Sequence, residues 1–512
     1  MAPSQVPSLR ASVPSLRVIV VGAGLAGLST ACHLAGRGHR VTVVERAESP
    51  GGLAGQWRSA GYRIDTGPTV LTMPGLVSAT LAAAGGVGRE AGQALLDLRS
   101  LDPAYRACWP DGSVIRVRRG REAMTEEIRS TCGSRDAAAF GRFCDWLTRL
   151  YEVEEPGFIA RNYDGPLDLV RPPGPAVALA RMGAFRQMSS VVDSRFADHR
   201  LRQLFSFQSL YAGLAPFQAL AIYSIITYMD TVAGVWAPVG GVHAVARALA
   251  AAAGAAGVEL RYGMAAAQVM RRLGRSGPVT GVRLADGTRL GADAVVCTPD
   301  VFSAYTQLVP GASVPRPAAE GRYSPSAALW LAGTRGAPPA GAAHHNVHFG
   351  SQWRGSFHAL VDAGTRQPDP SVLVSLPALT DPTAAPAGGQ VVYALEPVPN
   401  LDGRVDWTTE RDRCRQELRG RLAGWGYPVG DVVTDRFVDP LDWEAMGLTR
   451  GTPFSLAHTF TQSGPWRVPN RDRRVPGLVL AGAGTVPGVS VPMVLTSGRL
   501  AADRVDELAL GR

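Results

Sequence analysis

Gly22, Gly24 and Gly27 stand as GxGxxG between an apolar run, Arg17 to Val21, and an Ala-rich stretch, and Glu45 ends the next apolar run. Each residue type suits the recognition of a dinucleotide. Glycines let the backbone approach a pyrophosphate, a helix N-terminus supplies amide donors and positive potential, and a carboxylate accepts hydrogen bonds from ribose hydroxyls. The motif Gly22-Ala23-Gly24-Leu25-Ala26-Gly27 with Glu45 and Arg46 therefore predicts a dinucleotide site, and the acid favours an unphosphorylated ribose, hence FAD or NAD rather than NADP. Two features favour FAD. Gly51, Gly52 and Leu53 follow the acid closely, and a second glycine turn, Gly482-Ala483-Gly484-Thr485, precedes a C-terminal helix. Two such turns can hold the two ends of a long cofactor. The helix opening near Val491 and Met493 can aim its positive end at the flavin N1/C2 carbonyl region and stabilise an anionic reduced flavin.

These residues need a scaffold, and RVIVVGAGLAGLSTACHLAGRGHRVTVVER supplies it as strand, glycine turn, helix and second strand. An Ala-rich helix (Val242 to Ala253), short strands with an Asp286-Gly287 hairpin signal, and the buried-strand pattern ADAVVCTPD follow. The C-terminus returns to strand, turn and helix. The expected fold is α/β, a Rossmann-like FAD-binding part formed by residues 17–75, 233–300 and 476–512. Interleaved with it is a mixed α+β substrate part of residues 76–232 and 301–475. Residues 1–16, rich in Pro and Ser without the apolar core of a signal peptide, read as a disordered lead-in.

Composition bounds the chemistry. The chain has 512 residues, 46% hydrophobic and 19% charged, which is globular usage and excludes disorder throughout. Its 52 basic residues are all Arg; with no Lys there is no P-loop lysine, Schiff-base lysine or lysine base. The six cysteines form no CxxC pair, against a zinc site and a disulfide framework. A net charge of +9 spread along the chain, without aromatic interleaving, argues against nucleic acid and for an anionic membrane surface as partner. Between Arg202 and Asp230 runs an uncharged stretch long enough on paper to span a bilayer, but Pro216 and several Ser and Gln interrupt it. It is open to three readings: a buried core segment, a pocket or monotopic membrane surface, or a transmembrane helix.

His344, His345 and His348 invite a metal reading. As a strand, however, HHNVHFG places His344 and His348 roughly 13 Å apart at ~3.3 Å per residue, too far to chelate one ion, so no metal is expected. Asp145 and Arg149 lie one helical turn apart, on the face opposite Phe143, Leu147 and Leu150, where an exposed i,i+4 ion pair is the bland reading. Asp230 closes the uncharged run as a second acidic candidate, with a surface acid as its own bland reading.

The strings VIVVGAGLAGL, VVERAESPGGLAG, GYRIDTGPTVL, FSFQSLYAGLAPFQALAIYSI, GVWAPVGG, HHNVHFG, EPVPNLDGRVDW, TQSGPW, NRD and GLVLAGAGTVPGVSVPMVL resemble the bacterial phytoene desaturases, FAD enzymes of carotenoid formation. The resemblance runs from about Arg17 to about Leu508. It implies a glutathione-reductase-like FAD domain, with Gly67, Pro68, Thr69 and Met264 joining the cofactor contacts. It further implies attachment to the cytoplasmic membrane from the cytoplasm, a lipophilic carotene substrate, products of the neurosporene or lycopene type, and reoxidation by oxygen or a quinone. Asp145 and Arg149 match, with one residue more between them, an Asp and an Arg proposed near the flavin as acid/base residues. Two positions depart from the family: Val486 replaces a common His and Ser490 a common Gly, both beside the expected flavin ring. Related readings are a later-pathway desaturase, ketolase or isomerase, and an isoprenoid-binding escort protein of the same fold. Flavin amine oxidases share the N-terminal motifs but commonly place near flavin N5 a lysine that this chain lacks.

Overall fold

The computed structural model describes residues 13–272 and 277–511, so most of the expected lead-in lies outside the described residues. The opening βαβ unit consists of strand Arg17–Val21, helix Leu25–Gly36 and strand Arg40–Val44. Val and Ile dominate both strands because a parallel sheet is covered on both faces and has no polar side to alternate with. Five parallel strands line up in the order Leu478–Leu480, Ala294–Cys297, Arg17–Val21, Arg40–Val44 and Glu259–Arg261. Three well-separated stretches of chain thus build one sheet.

Helix Leu25–Gly36 is buried along most of its length, held between the sheet and helices His243–Ala255 and Val491–Ala509. Small residues permit this approach: a Cβ on Gly498 would lie 2.6 Å from the Ala26 carbonyl oxygen. Asp286 and Gly287 turn strand Val279–Leu284 into Arg289–Gly291, with Gly287 at φ +89°.

A second sheet has seven strands in the order Val432–Val438, Ser326–Arg335, Gly389–Val398, Val372–Ser375, His345–His348, Tyr105–Cys108 and Val114–Val117. One face packs against helix Trp407–Gly424 through Trp330, Trp407 and Leu418. The other meets the hairpin Gln56–Asp65 through Tyr62 and Ile64, which sets the two sheets on either side of a deep cavity.

The uncharged run folds as short 3₁₀ and π turns, Phe207–Ala212, Ala221–Ser224 and Tyr228–Ala233, rather than as one helix. Gly213 at φ +74° and Pro216 break it. Leu204, Phe205, Leu214 and Ile225 are buried, so most of this run is core and wall of the cavity. Among the described residues no helix is long and apolar enough to cross a membrane. His345–His348 is a buried strand, and no cluster of metal-ligating side chains occurs among the described residues.

Candidate active site

A cavity of about 1110 Å³ opens where the carboxyl ends of the parallel strands stop. Val21 leads into Gly22, Val44 into Glu45, Cys297 into Thr298 and Leu480 into Ala481 and Gly482; Gly22, Glu45, Thr298 and Gly482 all line it. Ligands of open α/β sheets bind at this edge because the loops and helix N-termini converge there.

The three glycines of the first turn are required for different reasons. Gly22 sits at φ +104°, and a Cβ there would lie 2.4 Å from Thr298 Oγ1; a Cβ on Gly27 would lie 2.0 Å from the Gly22 carbonyl oxygen. Those two glycines are demanded by the protein itself. Gly24 is not: its φ is −71°, and the nearest atoms to an added Cβ are 3.9 and 4.0 Å away. A side chain at this position would instead enter the cavity over the N-terminus of helix Leu25–Gly36, where a pyrophosphate needs the space. Gly52, at φ +56°, brings its backbone against Gly24 from the far side.

Glu45 is held ready for a ribose. Its carboxylate accepts the Ala23 N–H at 2.7 Å and the Ala47 N–H at 2.9 Å while the residue lines the cavity. Gly24, Leu25, Ala26, Arg46, Gly51, Gly52 and Leu53 surround it, Gly67, Pro68 and Thr69 form another part of the wall, and Gly482, Gly484, Val491 and Met493 bring in the C-terminal segment. The donor set therefore fits an unphosphorylated dinucleotide. Four expected contacts lie off the lining. Ala23 acts through its N–H to Glu45, Gly27 packs on Gly22, and Thr485 Oγ1 bonds the Gly482 carbonyl at 2.9 Å. Met264 turns its side chain outward and gives its N–H to the Glu45 carbonyl, leaving Ala265 and Ala266 on the wall.

Asp145 and Arg149 are corrected by the structure. Helix Ser134–Glu154 buries Phe143, Leu147 and Leu150, so both polar residues face outward and neither lines the cavity. Asp145 pairs with Arg121 of helix Arg121–Cys132 instead of with Arg149. Because side chains of this pair are 45% and 49% exposed, Asp145→Asn is expected to change stability by at most about 1 kcal/mol and leave turnover unaltered. Thermal unfolding and initial rates on one preparation check this.

Besides Glu45, four acidic residues line the cavity: Glu154, Asp230, Asp300 and Asp369. Asp230, 6% exposed on the π turn Tyr228–Ala233, has no hydrogen-bond donor among the described residues. Burial alone pushes its carboxyl up to about 7, and its charge bears on Tyr105 and Tyr211. Glu154 was missed by the sequence reading. It ends the helix on its apolar face, continuing the stripe Phe143, Leu147, Leu150, and that spacing was the available signal. Its Oε2 has no partner, and burial raises its carboxyl well above the usual range.

His458 and Tyr223, also missed, stand by the second glycine turn. Their rings meet edge to face, Tyr223 donates to the His458 carbonyl at 2.6 Å, and a Cβ on Gly488 would strike the His458 ring. Val486 is buried against Tyr163 and Leu500, and Ser490, at φ +132°, accepts the Met493 N–H at 3.3 Å.

Residues 25–506 match the family of flavin containing amine oxidoreductases. The phytoene dehydrogenase of Streptomyces griseus is 46% identical over 96% of this chain and 95% of that protein. The chain belongs to the phytoene desaturase family. The zeta-carotene-forming phytoene desaturase of Myxococcus xanthus, another relative, is 35% identical over 97% of this chain and 95% of its own. An oxidoreductase from Methanosarcina mazei shares the fold at 16% identity, with a TM-score of 0.61 over 94% of this chain and 98% of that one. As in this family of flavoproteins, the cofactor is FAD.

Proposed function

We propose that the chain desaturates an acyclic carotene, phytoene, in carotenoid biosynthesis, and that residues 76–232 and 301–475 form its substrate-holding part. The observation that carries this reading is the cavity itself, in which a dinucleotide cradle continues into an apolar chamber holding Asp230. Aliphatic and aromatic side chains such as Leu210, Ile226, Leu373 and Trp353 line that chamber and exclude water from a polyene. Bound FAD supplies the hydride acceptor for a C–H bond beside the conjugated system. Asp230 takes the proton from the neighbouring carbon, for which a carboxylate titrating near 7 is suited at neutral pH. Its negative charge also stabilises positive charge developing on the carotene chain. Tyr105 and Tyr211 flank the acid and confine the chain beside it. Incubating the FAD-loaded protein with phytoene and identifying the products by chromatography tests the assignment.

The same reading places the protein at an anionic bilayer, through a face other than the uncharged run. Leu167, Val170 and Val177 are 60%, 47% and 44% exposed on the segment that follows Tyr163, with Arg171, Arg181 and Arg186 exposed among them. Neighbouring Leu169 and Phe185 line the cavity, so a lipid-soluble substrate would enter from this side. Apolar side chains flanked by arginines suit a headgroup boundary. Vesicles of anionic lipid are expected to float the protein at low salt, and Leu167→Asp with Val177→Asp is expected to abolish flotation. Unchanged flotation of that double variant would reject this face.

A further inference from the structure

Arg467 is a buried cation with no counter-charge. It is 1% exposed, and every acceptor around it is a carbonyl oxygen: Thr485 to Nε at 3.0 Å, Ala483 to Nη2 at 2.6 Å, and Leu456 and Gln462 to Nη1 at 3.3 Å. Among the described residues no carboxylate forms an ion pair with it. Arg504, the other arginine buried to this degree, pairs with both Asp164 and Glu507. Removing a charge from water without an opposite charge costs several kcal/mol, so packing alone is a poor reason for a guanidinium here.

Its position offers a reason. Arg467 grips Ala483 and Thr485 of the second glycine turn, whose Gly482, Ala483 and Gly484 line the cavity. Helix Val491–Ala509 brings its N-terminal residues Val491, Pro492, Met493 and Val494 to the same wall, adding the positive end of its dipole. The nearby titratable groups do not cancel this charge. Burial shifts the Glu154 carboxyl well above the usual range, toward its neutral form, and burial with the Arg467 charge keeps His458 neutral. Burial lowers Arg467 itself only to about 10, so it remains a cation at neutral pH.

We propose that Arg467 is an electrostatic positioning residue for the cofactor, its unpaired charge acting across the Gly482–Thr485 turn to favour reduced flavin and raise the reduction potential. This rests on the reading that the flavin ring occupies the second-turn end of the cavity. The charge balance is simple: oxidised flavin plus one hydride gives a reduced flavin carrying one negative charge, with no proton taken up. A fixed cation therefore acts on the product of hydride transfer and not on the resting cofactor.

The test is the midpoint potential of bound FAD in the parent, Arg467→Lys and Arg467→Gln, with FAD content measured alongside. Arg467→Lys keeps the charge and is expected to hold the potential. Arg467→Gln keeps a donor for the turn carbonyls but is expected to favour the reduced form about tenfold less, a fall of ~30 mV for a two-electron couple. Full FAD content with an unchanged potential in Arg467→Gln would overturn the inference and leave the cofactor reading standing. Absence of FAD from the parent would overturn both. If Arg467→Gln does not fold, the parent decides: its reduced flavin is expected to stay anionic at acidic pH where free reduced FAD is protonated, and protonation together with free FAD would overturn the inference.

Discussion

Asp230→Asn is expected to lower carotene desaturation by ~10²- to 10⁴-fold, the usual contribution of a positioned general base, while FAD content stays at the parental level. The amide is isosteric but accepts no proton. In the parent the rate should rise with pH through about 7 as the buried carboxyl ionises, then level off, and the variant should lose that dependence. Stability should move the opposite way. A buried carboxyl titrating about 7 in the folded chain and at ~3.9 in the unfolded one makes folding less favourable as pH rises between those values. Asp230→Asn should therefore gain stability over the parent across that window and keep the gain above it. Urea midpoints at pH 4 and pH 8 check the sign. A parental rate in a folded, FAD-loaded Asp230→Asn protein would remove Asp230 from proton transfer and direct attention to Glu154.

Gly24→Val should abolish FAD binding without unfolding the chain. Gly22→Val or Gly27→Val would not separate these effects, since their new atoms would collide with Thr298 or with the Gly22 carbonyl. At Gly24 the protein leaves ordinary room, so the valine is expected to occupy space the pyrophosphate needs. Far-UV circular dichroism should match the parent while the flavin absorbance is lost. A folded Gly24→Val protein with a full complement of flavin would place the cofactor elsewhere.

The cofactor cradle was legible in the sequence because strand, glycine turn and helix are set by local backbone chemistry over thirty residues. The acid proposed for proton transfer was harder to read. The apolar stripe Phe143, Leu147, Leu150 already turned Asp145 and Arg149 outward, yet the similarity to known enzymes drew attention to them; the same stripe carried Glu154 inward. Asp145's true partner, Arg121, belongs to a separate helix and could not be seen from i,i+4 spacing. The run from Leu204 to Met229 was ambiguous because a bilayer and a protein core select the same apolar residues. Its Pro216 and its Ser and Gln marked interruptions, but only the surrounding layers show that it is largely enclosed. Arg467 gave no local signal, since its acceptors lie in loops spread from Leu456 to Thr485.

A cavity that joins a flavin site to a carotene site should turn phytoene over in a defined lipid system. Purified FAD-loaded protein is mixed with phytoene in anionic liposomes under air, or anaerobically with a quinone, and the extracted carotenes are resolved by chromatography with absorbance detection. Carotenes with a longer conjugated system are expected, formed in the parent and nearly absent with Asp230→Asn. Recovery of phytoene and of an already coloured carotene, both unchanged, from flavin-replete protein under both conditions would contradict this joining of the two sites.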